Sequence, residues 1–320
     1  MKPSLLVIGN TALDLIKTDS IVQSRAAGCA VNSAFAAAAF PVDVHICGPI
    51  GTDLNANNFI TDFKHKNSTQ GHALVQEHFI SIKGPHGKVF YNILGQNHTP
   101  LSCRPGVNAL FTRACLPKFK KDFSGIIVSG SAFMPGLNDC DFTDYLEQAK
   151  KNNPSLVIGV SIGGQGPGSK NFIRFSGLAD IMVLNHHEAL ELFKYDFTLF
   201  DPEKFEKKGF FERKSRLKKI IPGFTLPSVF IITLADKGCL CIYRDKNKKT
   251  SALKLNNTEP FYYTAGTICR ANQNTGFIGA GDKFFGALAA QILLSPQKID
   301  EFSGAELKSI IKETMSHIIY

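Results

Sequence analysis

Six short apolar runs punctuate the chain, at residues 5–8, 42–46, 126–128, 156–160, 181–184 and 229–233. Most are continuous rather than alternating, which is the pattern of strands covered on both faces. Stretches with helical spacing lie between them. Residues 31–40 are alanine-rich and close at Pro41, and 142–150 follow Asp139 and Asp141. Residues 186–193 and 283–294 complete the set. Strands and helices alternating in this way predict a parallel sheet with helices on both faces, in a single α/β domain over 1–320.

Residues 73–102 break the alternation. Val75, Phe79, Ile80, Ile82, Val89, Phe90, Tyr91, Ile93 and Leu94 flank the turn Gly84-Pro85-His86-Gly87, which reads as a β-hairpin. A hairpin inserted into an α/β sheet predicts a small β lid over a site, with part of 11–26 contributing. Its apolar residues fall on both faces. Phe79 and Tyr91 would shield a bound molecule, and Ile82 and Val89 would meet a second copy, so a homodimer through the lid is expected.

The composition narrows the setting. With 320 residues, 44% of them apolar, the chain has enough core to need no disulfide or metal staple. Its eight cysteines include no Cys-x-x-Cys and no Cys/His cluster at zinc spacing. Cys239 and Cys241 lie two apart in an apolar run and read as buried thiols on one face of a strand. The opening Met1-Lys2-Pro3-Ser4 leads into an apolar run too short for a secretion signal or a membrane span. A cytoplasmic, reduced setting with no membrane partner is therefore expected. The net charge of +9 favours anionic ligands. Part of it lies in 204–219, which lacks the arginine–aromatic alternation that stacks bases, so no nucleic-acid partner is expected.

The run richest in chemistry is Gly279-Ala280-Gly281-Asp282, where small residues enter an apolar helical pattern. Uncovered N–H groups at a helix N-terminus converge with the positive end of the helix dipole to make an anion hole. A carboxylate beside such a hole repels phosphate. It suits the removal of a proton from a hydroxyl that attacks a phosphoryl group. Ligands of an open parallel sheet bind at the carboxyl ends of its strands. Three polar runs fall there: Gly9-Asn10-Thr11-Ala12-Leu13-Asp14, Ala27-Gly28-Cys29-Ala30-Val31-Asn32 and Gly48-Pro49-Ile50-Gly51-Thr52-Asp53. A carboxylate and an amide suit sugar hydroxyls, which both donate and accept. Asp53 reads instead as a turn-forming residue. There is no Walker A loop, and no Gly-x-Gly-x-x-Gly follows the first strand, which argues against a P-loop enzyme and a dinucleotide dehydrogenase.

These runs, in this order, resemble the PfkB (ribokinase-like) carbohydrate kinase family. The resemblance extends through Asn185-His186-His187-Glu188 and Thr233-Leu234-Ala235-Asp236-Lys237-Gly238, and so spans residues 9–282. It implies a ribokinase-like three-layer sandwich: a mostly parallel central sheet, helices on both faces and a small β lid. It implies a kinase that uses ATP and Mg2+ to phosphorylate a hydroxyl of a small-molecule sugar or nucleoside. Carried over residue by residue, Asp282 is the general base, and Gly279, Ala280 and Gly281 form the anion hole. Asn10, Asp14, Gly28 and Asn32 bind substrate. Asn185, Thr233 and Gly238 bind ATP, and Glu188 serves magnesium through water. Asn185 and Glu188 also have the spacing of a helix cap.

The chain departs from the family at several places. Gly276-Phe277-Ile278 replaces the usual residues before the anion hole, with Asn274-Thr275 further upstream, and this leaves the family's monovalent-cation site without its usual residues. Ala27 and Ala235 stand for glycines, and Ser161-Ile162-Gly163-Gly164 stands where many members carry an aspartate. A second expectation is thereby kept: a ribokinase-like ligand-binding or regulatory protein with weak catalysis. Lys283 adjoins Asp282, but neighbouring helix residues point apart, so no role is assigned to it.

Overall fold

Leu5 and Val7 pack into one hydrophobic core and Leu6 and Ile8 into another, so the first strand is buried on both faces. The computed structural model describes residues 2–17, 22–69, 74–92, 100–116, 123–138, 140–162, 175–185, 188–189, 225–233, 238–244, 250–255 and 279–317. Fifteen strands are described: β1 Ser4–Gly9, β2 Ala12–Lys17, β3 Val22–Ala27, β4 Asp43–Cys47, β5 Pro49–Ile50, β6 Gln76–Glu77, β7 Ile80–Ser81, β8 Lys88–Asn92, β9 Pro100–Arg104, β10 Gly125–Ser129, β11 Val157–Ser161, β12 Ile181–Asn185, β13 Val229–Thr233, β14 Cys239–Arg244 and β15 Thr250–Leu255. Nine of these form the main sheet, in the order β15-β14-β13-β12-β11-β10-β1-β4-β6. Pairing is parallel from β6 to β13 and antiparallel for β14 and β15.

Helices cover both faces. α1 (Cys29–Ala38), α2 (Leu54–Thr69), α4 (Ala280–Leu294) and α5 (Gly304–His317) bury their apolar residues on the face that carries Leu5, Val7, Val229 and Ile231. α3 (Cys140–Asn152) packs Phe142 and Leu146 on the other, with Leu6, Ile8, Phe230 and Ile232. The alternation within each strand builds the expected three-layer α/β sandwich. Cys239 and Cys241 are buried on the first face, where burial pushes both thiols up.

A second sheet, in the order β3-β2-β8-β9, stands beside the main one. The stretch 73–102 reaches it only in part. β6 extends the main sheet beside β4, β7 pairs with β5, and only β8 joins β2, with β9 as its antiparallel neighbour. The turn at 84–87 therefore does not close a hairpin. It is tied to the body: Thr52 N–H donates to the Gly84 carbonyl at 2.9 Å, and His86 N–H to Asp53 Oδ1 at 3.1 Å. Asp53 also caps α2, accepting from Ala56 N–H at 3.1 Å. Phe79 is accordingly not turned toward a ligand. It packs edge-on against Phe59 and Phe63, at 5.5 and 5.0 Å between ring centres. Ile82 packs against the second core, and Tyr91 rests on Ile16 within the lid sheet.

Among the described residues, no helix is long and apolar enough to cross a membrane. The run 204–219, the stretch 274–278, and residues 97, 163–164, 186–187, 190–193 and 234–237 lie outside the described residues.

Candidate active site

Helix α4 begins at Ala280 because Gly279 turns the chain with a positive φ of 79°. A side chain at 279 would also collide with Asn32, since its Cβ would come within 2.2 Å of Nδ2. The first intrahelical bond runs from Lys283 N–H to the Gly279 carbonyl at 2.9 Å, so the N–H groups ahead of it have no partner within the helix. Above Gly281 a Cβ would meet nothing within 4 Å, which is room for a ligand against those N–H groups. Asp282 stands in this first turn. Its Oδ2 accepts from Asn32 Nδ2 at 3.3 Å, and the Cys29 thiol acts on the same carboxyl. Burial pushes the carboxyl up to about 6; Asn32 and Cys29 hold it down, while the charges of Glu188 and Asp14 push it further up.

The partners of Asp282 come from the first turns of α1. Gly28, at a φ of 103°, leads from β3 into this helix. Asn10 accepts from Cys29 N–H through Oδ1 at 3.2 Å, so its amide oxygen caps the helix start. Ser33 locks the two helices together: its hydroxyl donates to the Asp282 carbonyl at 2.9 Å and meets Ser129 Oγ at 3.0 Å. With its proton given to the carbonyl, Ser33 accepts from Ser129. At Gly286 the helices touch so closely that a Cβ would come within 1.9 Å of the Ser33 carbonyl oxygen.

Asp14 lies on β2, 2% exposed, and its Oδ2 accepts from Arg25 Nη2 at 3.2 Å and Nε at 3.3 Å. Burial pushes its pKa up to about 6 in spite of Arg25. Arg25 is a partner of Asp14 that sequence reading did not single out, because its meaning comes from the strand register that sets it opposite Asp14. Asn108 was missed too. It grips the loop after β1 from both sides, accepting from Thr11 N–H at 3.1 Å and donating to the Thr11 carbonyl at 2.8 Å. Its isolation in the sequence offers no signal.

The remaining candidates gather at the ends of β12 and β13. Asn185 and Thr233 are register partners, and Thr233 in turn pairs with Cys239, next to Gly238. Asn185 and Glu188 hold each other: Asn185 N–H donates to Glu188 Oε2, and Glu188 N–H to Asn185 Oδ1, both at 2.9 Å. This is a reciprocal helix cap. Glu188 is buried, and its charge acts on Asp282 and Cys29. Hard oxygen donors of one carboxylate and one amide fit magnesium that keeps most of its water. Among the described residues no group of three His, Cys, Asp or Glu suits direct coordination of a metal ion.

A family model described as pfkB family carbohydrate kinase matches residues 2–312. The chain belongs to this family. Comparison with curated proteins finds no match. Among solved structures, ribokinase from Giardia lamblia is similar at a TM-score of 0.64 and 16% identity, covering 99% of this chain and 90% of that one. Arabidopsis thaliana ribokinase, complexed with ribose and ATP, gives 0.62 and 14%, over 99% and 91%. Aminoimidazole riboside kinase from Salmonella enterica, complexed with aminoimidazole riboside and an ATP analog, gives 0.62 and 16%, over 97% and 90%.

Proposed function

We propose that this protein transfers a phosphoryl group from ATP to a hydroxyl of a sugar or nucleoside. The observation that carries the reading is the Asp282 carboxylate in the first turn of α4, hydrogen-bonded by Asn32 and set beside open helix N–H groups. Asp282 takes the proton of the attacking hydroxyl. Backbone N–H groups at Gly279, Ala280 and Gly281 stabilise charge on the phosphoryl group in flight. Asn10, Asp14, Gly28 and Asn32 line the hydroxyl side. Asn185, Thr233 and Gly238 form the nucleotide side, where Glu188 and Asn185 hold magnesium through its waters. Magnesium there supplies charge neutralisation between the phosphates. The lid sheet bears Asp14 and Arg25 and excludes water, which competes with the substrate hydroxyl.

Support comes from family membership and from neighbours whose bound ligands are a sugar or riboside with ATP or its analog. The test is ADP release from ATP, with Mg2+, against a panel of sugars and nucleosides, with product phosphorylation read by mass. Turnover of at least one candidate is the expected result. Binding without turnover across the panel would overturn the kinase reading in favour of a ligand-binding relative.

A further inference from the structure

Asp14 and Arg25 face each other across the antiparallel strands β2 and β3, where opposite residues share one face of the sheet. Two donors of one guanidinium reach this carboxylate, and both fall on Oδ2. Oδ1 therefore takes no donor from the guanidinium and keeps its lone pairs for another hydroxyl. We infer that Arg25 is the positioning residue of the hydroxyl site: it fixes Asp14 by Oδ2 and leaves Oδ1 to accept a substrate hydroxyl. The inference rests on the kinase reading for the identity of that hydroxyl.

No other described cation takes the place of Arg25. Lys66, on α2, acts on Asp14 only at a distance, because its amine is bound to Asp62 at 3.1 Å and to the Ala26 carbonyl at 2.8 Å. The other groups that feel the Asp14 charge are Tyr91 on β8, Cys103 on β9, Cys29 on α1 and Asp282 on α4. None of them is a cation. With Arg25 in place, burial already brings the Asp14 carboxyl to about 6. Without Arg25 the same burial acts with less opposition, so the Asp14 carboxyl moves further up and is ionised, as a full acceptor, only at higher pH.

The experiment uses the full chain with Arg25→Gln and Arg25→Lys. It measures kcat and KM for the hydroxyl substrate between about pH 5.5 and 8.5. In parallel, the Asp14 carboxyl is titrated by carbon-13 NMR, with Asp14→Asn identifying its signal. Arg25→Gln should raise KM near pH 6 by roughly fivefold for the first pH unit that the carboxyl moves up and roughly tenfold for each further unit, with kcat at saturation nearly unchanged. That loss should shrink as pH rises, and Arg25→Lys should recover most of it. A KM loss equal at every pH, a fall in kcat at constant KM, or an unmoved Asp14 titration would each overturn the inference. If the unaltered protein phosphorylates nothing in the panel, the kinase reading fails by itself. The carboxyl titration then still decides whether Arg25 governs Asp14.

Discussion

The Asn32 amide lies 3.3 Å from Oδ2 of Asp282 and joins side chains 250 positions apart. A candidate substrate ligand thus touches the candidate base directly. The candidate base and this candidate substrate ligand belong to one hydrogen-bonded unit.

Asp282→Asn should abolish turnover and keep the fold. The amide retains an acceptor for Asn32 but cannot take a hydroxyl proton, and loss of general-base catalysis costs on the order of 10²–10⁴-fold. Steady-state kinetics alongside a thermal melt check this. Near-native turnover in a folded variant would remove Asp282 from the role of base.

The rate should fall on the acid side with a limb near the Asp282 value of about 6. The base must be ionised, so activity is full above this pH and drops roughly tenfold per unit below it. Asn32→Ala deletes a hydrogen bond that holds the carboxyl down, so the limb should move to higher pH. A profile of kcat against pH for both proteins decides the matter; coincident limbs would uncouple Asn32 from the base.

Asp14→Ala should weaken binding of the hydroxyl substrate and leave ATP binding nearly intact. Asp14 lies on β2 of the lid sheet, whereas Thr233 and Gly238 sit at the β13–β14 end of the main sheet. Calorimetry with each ligand in turn measures the two affinities. An equal loss for both would contradict a two-sided site.

Gly286→Ala should destabilise the protein by about 1–3 kcal/mol, the usual cost of forcing a methyl into a filled contact. Its Cβ would come within 1.9 Å of the Ser33 carbonyl oxygen, and α4 would have to retreat from α1. Retreat stretches the Asn32–Asp282 contact, so kcat should fall as well. Denaturant melts and kinetics test both effects, and an unchanged variant would show that the helices yield freely.

The central sheet was legible because β1, β10, β12 and β13 are unbroken apolar runs, and both their faces prove to be buried. The lid strands were harder to see. β3 is Val22–Ala27, and its exposed Val22, Gln23 and Ser24 carry no alternating signal. α2 escaped notice for a similar reason: only Ala56, Phe59 and Phe63 of its sixteen residues are buried. The turn at 84–87 misled because Gly-Pro-His-Gly has hairpin chemistry locally, while Thr52, Asp53 and Val107 claim its backbone. Asp14, Asn32 and Asp282 became candidates because each sits in a short run with its own spacing. What no run could reveal is which of them touch: Asn32 meets Asp282, and Asp14 meets Arg25.

One residue separates the lid from the body on the substrate side. β3 ends at Ala27, Gly28 turns, and α1 starts at Cys29. So short a joint has no slack. A tilt of the lid strand is delivered to the helix whose first turns present Cys29 and Asn32 to Asp282. The lid sheet and the candidate base are thereby joined through a single residue, and a shift of β3 is felt at the contact between Asn32 and Asp282.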